Sequence, residues 1–502
     1  MASSRLSPSL TVLLSTALVV HPCAASGAGP VANSFQCQSA KIQGSDLAQF
    51  PNLRFCRDVE APRAKQIIIE PDQYVKQSLL NSQQLKSQRD LVDSATYNIK
   101  ATNGSWWPNV SMSNSSLLFV NNRGNNNPVT TNCVNSVSTA GKAFNPFNGS
   151  SGGTSCSASG DYTQLYPVIT ITWNFINPSR YPQIAGAKKS KKLAESQLRQ
   201  TNQQLQLSLL KNYGSYLLSG FQLGELLGLV ELQQKILTST NSLVGSTTLP
   251  RFARNQEARS LLAYQARIET VLASQKEAYT ALQSALDTSL QERVSFVPDI
   301  NALLLKSWNY DEQSTLNMAM EQSEVLKQLA LQSGIATDNA NQLRGSILPT
   351  IGFLGYVTYQ GTSTSNTYSG LLSNYAGLSV SWNLFDGYST KNQAIASDRQ
   401  ASSYNAQLAD ATAKLRIQVS TKLTSLSSLR RLILLYLNDI QQTDLIAADH
   451  KARQRYGFST SFDVMQAEQD SRESRLQLLG TIANYVVTYA ELSSLCGLDP
   501  SQ

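Results

Sequence analysis

The sequence predicts an α+β membrane protein: a long α-helical coiled-coil barrel, with four strands per chain contributing to a twelve-stranded trimeric β-barrel. Three observations lead there. The chain repeats itself in order across its two halves. Each half holds two segments in which apolar and polar residues alternate. The spans around them, such as Ala185 to Thr240 and Lys391 to Leu437, contain no proline and are rich in Leu, Ala, Gln and Lys.

The repeat rests on three short matches. Ser105-Trp106-Trp107-Pro108-Asn109-Val110 corresponds to Ser346-Ile347-Leu348-Pro349-Thr350-Ile351, 241 residues later. Ile171-Thr172-Trp173-Asn174-Phe175 corresponds to Val380-Ser381-Trp382-Asn383-Leu384, 209 residues later. Tyr279-Thr280-Ala281-Leu282 corresponds to Tyr489-Ala490-Glu491-Leu492, at an offset of 210. The drop from 241 to 209 locates a 32-residue insertion between Pro108 and Trp173. The predicted division is a signal peptide over 1–28, an extension of unclear structure over 29–71, a first repeat over 72–300, a second over 301–496 and a short tail over 497–502.

After Pro349 the residues Ile351, Phe353, Val357 and Tyr359 alternate with smaller or polar ones, and Ala376, Leu378, Val380, Trp382 and Leu384 do so again. Val168 to Phe175 and, more weakly, Val110, Met112, Leu118 and Val120 supply the first-half counterparts. A period of two predicts strands with one apolar and one polar face. Pro108 and Pro349 stand at the strand starts, where a missing N–H does no harm. The long spans predict rods, since fifty helical residues extend about 75 Å. Apolar spacings of three and four, as at Leu415, Val419, Leu423, Leu426 and Leu429, give each rod a packed edge.

Composition narrows the function. Lys and Arg number 41 against 34 Asp and Glu, for a formal charge of +7. Only 15% of residues are charged, against about 25% in ordinary soluble domains. The single basic run, Lys188-Lys189-Ser190-Lys191-Lys192, is too short for a nucleic-acid binder. Two histidines, with no Gly-rich phosphate loop, leave little for an enzyme. His450, beside Asp449 and Lys451, reads as a solvated helix residue. No catalytic residue, cofactor or metal site is predicted. Arg5, the apolar stretch Leu10 to Val20 and the small residues Ala24 to Ala28 form a secretory signal. Its removal takes away one Arg, leaving a charge of +6.

Four strands cannot close a membrane barrel, which usually needs at least about eight. Open edges and an apolar face therefore predict an oligomer, most simply a trimer sharing one barrel. Trp106, Trp107, Tyr162, Tyr166, Tyr368 and Tyr375 are predicted near strand ends, where aromatic residues suit a boundary with outer-membrane lipid.

Export permits disulfides. Cys133 and Cys156 lie in the Asn-, Ser- and Gly-rich insertion, and a bond closing those 24 residues would contribute about 3 kcal/mol through loop entropy. Cys37 and Cys56 form a second candidate pair. Cys496 is expected to be a lone buried thiol.

Ile347-Leu348-Pro349-Thr350, Trp382-Asn383-Leu384-Phe385-Asp386-Gly387 and Tyr456-Gly457-Phe458-Ser459-Thr460-Ser461-Phe462-Asp463-Val464 together resemble the TolC-type outer-membrane exit ducts of the outer membrane efflux protein family. The resemblance runs from about residue 72 to 496. It implies a homotrimer in the cell outer membrane, with a helical tunnel in the periplasm. It also implies a periplasmic adaptor and an inner-membrane pump or ABC transporter as partners, and a passive role in efflux or type I secretion. The family closes its tunnel at the turn before the last helix, with two acidic residues three apart. Asp463 matches the first of these and Gln466 occupies the second. The family's gating Tyr and Arg fall at Gln454 and Ser459, and Arg453, Arg455 and Tyr456 stand close by. Three such carboxylates around a pore would attract cations and repel one another. Asp463 reads equally as a helix N-terminal acid favoured by the macrodipole. The alternative function is a secreted coiled-coil adhesive or structural protein without a channel.

Overall fold

The computed structural model describes residues 35–40, 53–58, 66–69, 71–114, 163–165, 167–246, 248–286, 293–296, 307–363 and 368–498. The predicted signal segment, Tyr162, Tyr166, Cys133 and Cys156 lie outside them. The elements begin with β1 (Phe35–Ala40), β2 (Leu53–Asp58), β3 (Gln66–Ile69), α1 (Pro71–Asn81) and α2 (Gln83–Gly104). Then come β4 (Asn109–Asn114), β5 (Thr163–Leu165), β6 (Pro167–Ile176), α3 (Arg180–Gly245) and α4 (Arg251–Leu286). They close with β7 (Arg293–Phe296), α5 (Glu312–Gln322), α6 (Glu324–Ser346), β8 (Thr350–Ser363), β9 (Tyr368–Ser381), α7 (Ser389–Arg455) and α8 (Ser461–Leu495).

Two helices run the length of the helical part. α3 has 66 residues and α7 has 67, each about 100 Å long. Shorter helices fill the space beside them in pairs. α2 packs on the first part of α3 and α4 on the last; α6 packs on the first part of α7, and α8 on its last. α6 and α8 also contact α3, so the layer reads α2-α3-α6-α7 near the sheet and α4-α3-α8-α7 beyond it. The short helices meet at mid-height, and there the main core sits. Tyr74, Tyr213, Leu217, Phe221, Leu282, Leu478 and Leu492 are buried together in it. Burying each such side chain contributes about 1.5–3 kcal/mol.

The repeat extends into details that the sequence matches did not include. Ser82 and Ser323 are 241 residues apart. Each stops one helix and caps the next, accepting from Leu85 N at 3.3 Å and Leu326 N at 3.4 Å. The indole of Trp173 donates to Trp106 O at 2.9 Å, and that of Trp382 to Ile347 O at 3.0 Å. These are the residues that the two sequence offsets pair. Asn177 Oδ1 accepts from Ser179 N, and Asp386 Oδ2 accepts from Thr390 N, at the starts of α3 and α7.

β4, β6, β8 and β9 form an antiparallel sheet in that order, with short β5 pairing β8 beyond the end of β6. The register places Val110 opposite Ile171, Ile171 opposite Gly355, and Trp173 opposite Phe353, itself opposite Leu378. Ile351 and Val380 continue that face. Thr170, Thr172, Thr358, Ser373 and Ser379 occupy the other. The apolar face is open: Val110, Met112, Leu372, Leu378 and Val380 are all more than half exposed. Among the described residues, no helix is long and apolar enough to cross a membrane.

Two expectations are corrected. The alternation predicted to reach Leu384 stops at Ser381. There the Trp382 indole turns back to Ile347, and Gly387 (φ 67°) and Tyr388 (φ 61°) reverse the chain into α7. Tyr375, predicted near a strand end, lies in the middle of β9 opposite Tyr356 and stacks on it, on the polar face. Its parity, odd where Leu372, Ala376, Leu378 and Val380 are even, puts it there.

Replacing the cap hydroxyl in Ser82→Ala or Ser323→Ala is expected to cost about 1 kcal/mol in either case. Hydrogen exchange at residues 83–86 and 324–327 reads it, with matched acceleration at the two sites.

Candidate functional site

The α3–α4 and α7–α8 hairpins lie side by side, and both turns fall at the end remote from the sheet. The Tyr264 hydroxyl fixes this arrangement. It donates to Glu473 Oε1 at 2.7 Å and accepts from Gln469 Nε2 at 2.7 Å, joining α4 to α8. Burial, aided by the Glu473 carboxylate, pushes its phenol up to about 12. Arg472 on α8 reaches Glu225 on α3 at 3.0 Å. Gly228 leaves room for that guanidinium, since a Cβ there would stand 2.3 Å from Nη1. Arg267 adds a 3.6 Å contact to Glu473.

Nearer the sheet the same helices meet at Glu491. It receives Lys211 from α3 at 2.5 Å and Lys422 from α7. Burial works against its ionisation, but the two ammonium groups outweigh that and hold the carboxyl below its ordinary range. Asp444 of α7 binds Arg475 of α8 at 3.0 Å.

The residues predicted for a constriction lie in the α7–α8 turn or in the helix ends that flank it. α7 ends at Arg455, Gly457 takes φ 75°, and Thr460 caps α8. Thr460 Oγ1 accepts from Asp463 N at 3.1 Å, while Asp463 Oδ2 accepts from Thr460 N at 2.8 Å. This reciprocal pair is a capping box. Thr460 Oγ1 and Ser459 Oγ also approach the carboxylate, at 2.8 and 3.3 Å. The Thr460 backbone N–H, then the Thr460 and Ser459 hydroxyls, hold the Asp463 carboxyl below its ordinary value. So Asp463 is engaged at its own helix start.

The other predicted residues spread around the turn. Arg453 pairs with Asp449 at 2.8 Å, and Gln466 Nε2 donates to Asp470 at 3.5 Å. Tyr456 is 78% exposed and Phe458 83%, so two aromatic rings stand in solvent at the tip. Phe252 stands out from the neighbouring turn in the same way. Among the described residues, no carboxylate lies within ion-pair distance of Arg455, Arg251 or Arg254. His450, read from sequence as a solvated helix residue, instead meets Ser459 Oγ at 2.9 Å. The cross-hairpin contacts of Tyr264, Glu473, Arg472 and Glu225 were not legible in sequence, because nothing periodic marks them. The nearest signal was the four-residue spacing of Gly220, Gly224 and Gly228 within α3.

Elsewhere, Trp106 stacks over the buried Arg180 guanidinium at 4.3 Å and meets Tyr181 edge-on. Trp107 is largely exposed and Tyr368 opens β9. Cys37 and Cys56 are joined in a disulfide, and Cys496 is a buried free thiol. Among the described residues, no group of three His, Cys, Asp or Glu side chains could hold a metal ion.

Asp463→Ala removes the carboxylate half of the box, and exchange at residues 461–464 should rise. Because its native carboxyl lies below the ordinary 3.8, the contribution is complete at neutral pH and fades as pH falls through the lowered value. The protection factors of wild-type protein at low pH should therefore approach those of Asp463→Ala at pH 7, and between pH 8 and 6 they should not change.

Residues 315–498 match the family described as outer membrane efflux protein. No curated protein matches the chain in sequence. Solved structures match its fold. The outer-membrane channel OprN superposes with a TM-score of 0.65 at 14% identity, over 86% of this chain and 91% of that one. The CmeC outer membrane channel of Campylobacter jejuni gives 0.64 at 13%, over 85% of each chain. The outer membrane protein VceC of Vibrio cholerae gives 0.60 at 12%, over 85% of this chain and 96% of that one. The second half of the chain thus matches the outer membrane efflux protein family over residues 315–498, and the chain as a whole shares its fold with the outer-membrane channels OprN, CmeC and VceC.

Proposed function

We propose that three copies of this chain form a passive channel-tunnel in the outer membrane, giving efflux substrates a path from periplasm to exterior. The observation that carries this is the β4-β6-β8-β9 sheet, which has one open apolar face and, among the described residues, an unpaired edge on each outer strand. Three such sheets pairing β9 to the next β4 close twelve strands, turn the apolar face to lipid, and leave no edge. The exposed apolar residues of α7, including Ile417, Leu434, Leu435 and Leu445, gain neighbours in the same assembly. Read as a secreted adhesive, the chain would keep that face and both edges in water.

The tips serve as the gate in this reading. α7 and α8 form the moving hairpin, and the Tyr264–Glu473 and Arg472–Glu225 contacts hold it against α3 and α4. Asp463 shapes the turn as well as charging it, so its carboxylate contributes to a constriction through the cap it holds. A periplasmic adaptor and an inner-membrane pump or ABC transporter complete the path; type I secretion would use the same duct. The reaction is transport without chemistry on the cargo, and no residue is assigned a catalytic part.

The test is the mass of the purified mature protein in detergent, together with its conductance in a planar bilayer. A trimer with discrete conductance steps is expected. A monomer without channel activity would sink the proposal. In the same assay, Tyr264→Phe combined with Glu225→Gln should raise mean conductance, because it releases α8 from both neighbours. Unchanged conductance would remove these contacts from the gate and leave the duct standing.

A further inference from the structure

The N-terminal hairpin lies outside the family match and is attached to the helical wall by specific chemistry. β1 and β2 pair antiparallel with Cys37 opposite Cys56, and the disulfide joins them across the pair. β2 lies on α3 where two glycines clear its path. A Cβ on Gly220 would fall 2.2 Å from a ring carbon of Phe55, and one on Gly224 would fall 2.0 Å from Arg54 O. Phe55 meets Tyr216 and Phe221 edge-on, with centroids 5.7 and 5.6 Å away. From α4, Gln275 Nε2 donates to Cys56 O at 3.0 Å. The hairpin thus bridges α3 and α4 one turn from Gly228, where α8 places Arg472.

The two sulfurs live in different surroundings. Cys37 is exposed, whereas Cys56 is 1% exposed and belongs to a cluster with Leu223, Leu226 and Leu229. In thiol–disulfide exchange a thiolate attacks one sulfur and the other leaves as a thiolate. With the hairpin seated, only Cys37 can be attacked, and Cys56 would have to leave as an anion into apolar surroundings, which disfavour it. The forward reaction meets the same obstacle. A seated, reduced hairpin would present Cys56 as a buried, protonated thiol unable to attack.

We infer that the β1–β2 hairpin is an oxidatively set clasp, closed by a disulfide-carrying oxidant before β2 seats on α3 and shielded from reduction once seated. The oxidant belongs to the class of dithiol–disulfide exchange proteins. The Cys37 thiolate attacks its disulfide and forms a mixed disulfide, releasing one thiolate of the oxidant. The Cys56 thiolate then attacks Cys37 Sγ and expels the second. Two electrons pass to the oxidant, and the two thiol protons of this chain end on its dithiol. Oxidation so becomes a condition for completing the helical wall at the level where α8 is held.

The experiment uses full-length mature protein exposed to dithiothreitol, with differential alkylation and mass spectrometry of the Cys37 and Cys56 peptides. Gly224→Ala obstructs seating and keeps both cysteines. It should be reduced roughly ten-fold faster than wild type or more, as a leaving thiolate in water allows. Phe55→Ala, which leaves α3 unaltered, should do the same. Gly245→Ala, where an added Cβ meets nothing within 4 Å, should reduce at the wild-type rate. A second readout is protease cleavage within β2, residues 53–58, which should rise in Cys37→Ser/Cys56→Ser and in reduced, denatured and refolded wild type. Equal reduction rates in wild type, Gly224→Ala and Phe55→Ala would overturn the shielding. A protease-resistant hairpin in the double Ser variant would overturn the requirement for prior oxidation.

Discussion

A strand at the margin of a sheet carries a row of unpaired N–H and C=O groups. Among the described residues, β4 and β9 are such strands, six and fourteen residues long. Water can satisfy these groups; hydrocarbon cannot. The apolar face of the same sheet is stable only out of water, so the two demands conflict in a single copy of the chain. In the proposed assembly, closure with further copies resolves both together. The helical layer inherits its geometry from the sheet, because each strand that leaves the sheet continues into a helix at the same lateral position.

The junctions between strands and helices are where this inheritance is enforced. An indole reaches across from one strand to the carbonyl at the end of the preceding helix, once in each half. An Asn or Asp side chain then captures the first amides of the long helix that follows. Neither contact is large in energy, at about 1 kcal/mol for an ordinary hydrogen bond. Their effect is directional, because they fix the angle at which a rod about 100 Å long departs. A small error in that angle would be magnified at the far tip.

Much of this was legible in the sequence, for a physical reason. Side-chain periodicity records which face of an element is buried, and a repeat records it twice. Hence the strands and the long helices could be placed from Trp173, Trp382, Pro108 and Pro349. The lengths of α3 and α7 were underestimated, since polar helix ends such as Gln441 to Arg455 carry little apolar pattern. The breaks at Ser82 and Ser323 were missed because a Ser within a polar helix is common. Contacts such as Tyr264 to Glu473, 209 residues apart, leave no local trace. The Cys37–Cys56 pair was one of two candidates, and only the seating of Phe55 between Gly220 and Tyr216 reveals what it fastens.

The two tip hairpins are built to one measure. Their long helices have 66 and 67 residues and their short ones 36 and 35. Both turns therefore end level, and three chains would present six turns in one plane. Such a rim tolerates lengthening only when both halves change together. Seven residues added to each helix of one hairpin would carry its turn about 10 Å beyond the other, leaving a crown of three points where a flush ring had been. The duplicated halves are in this sense each other's ruler.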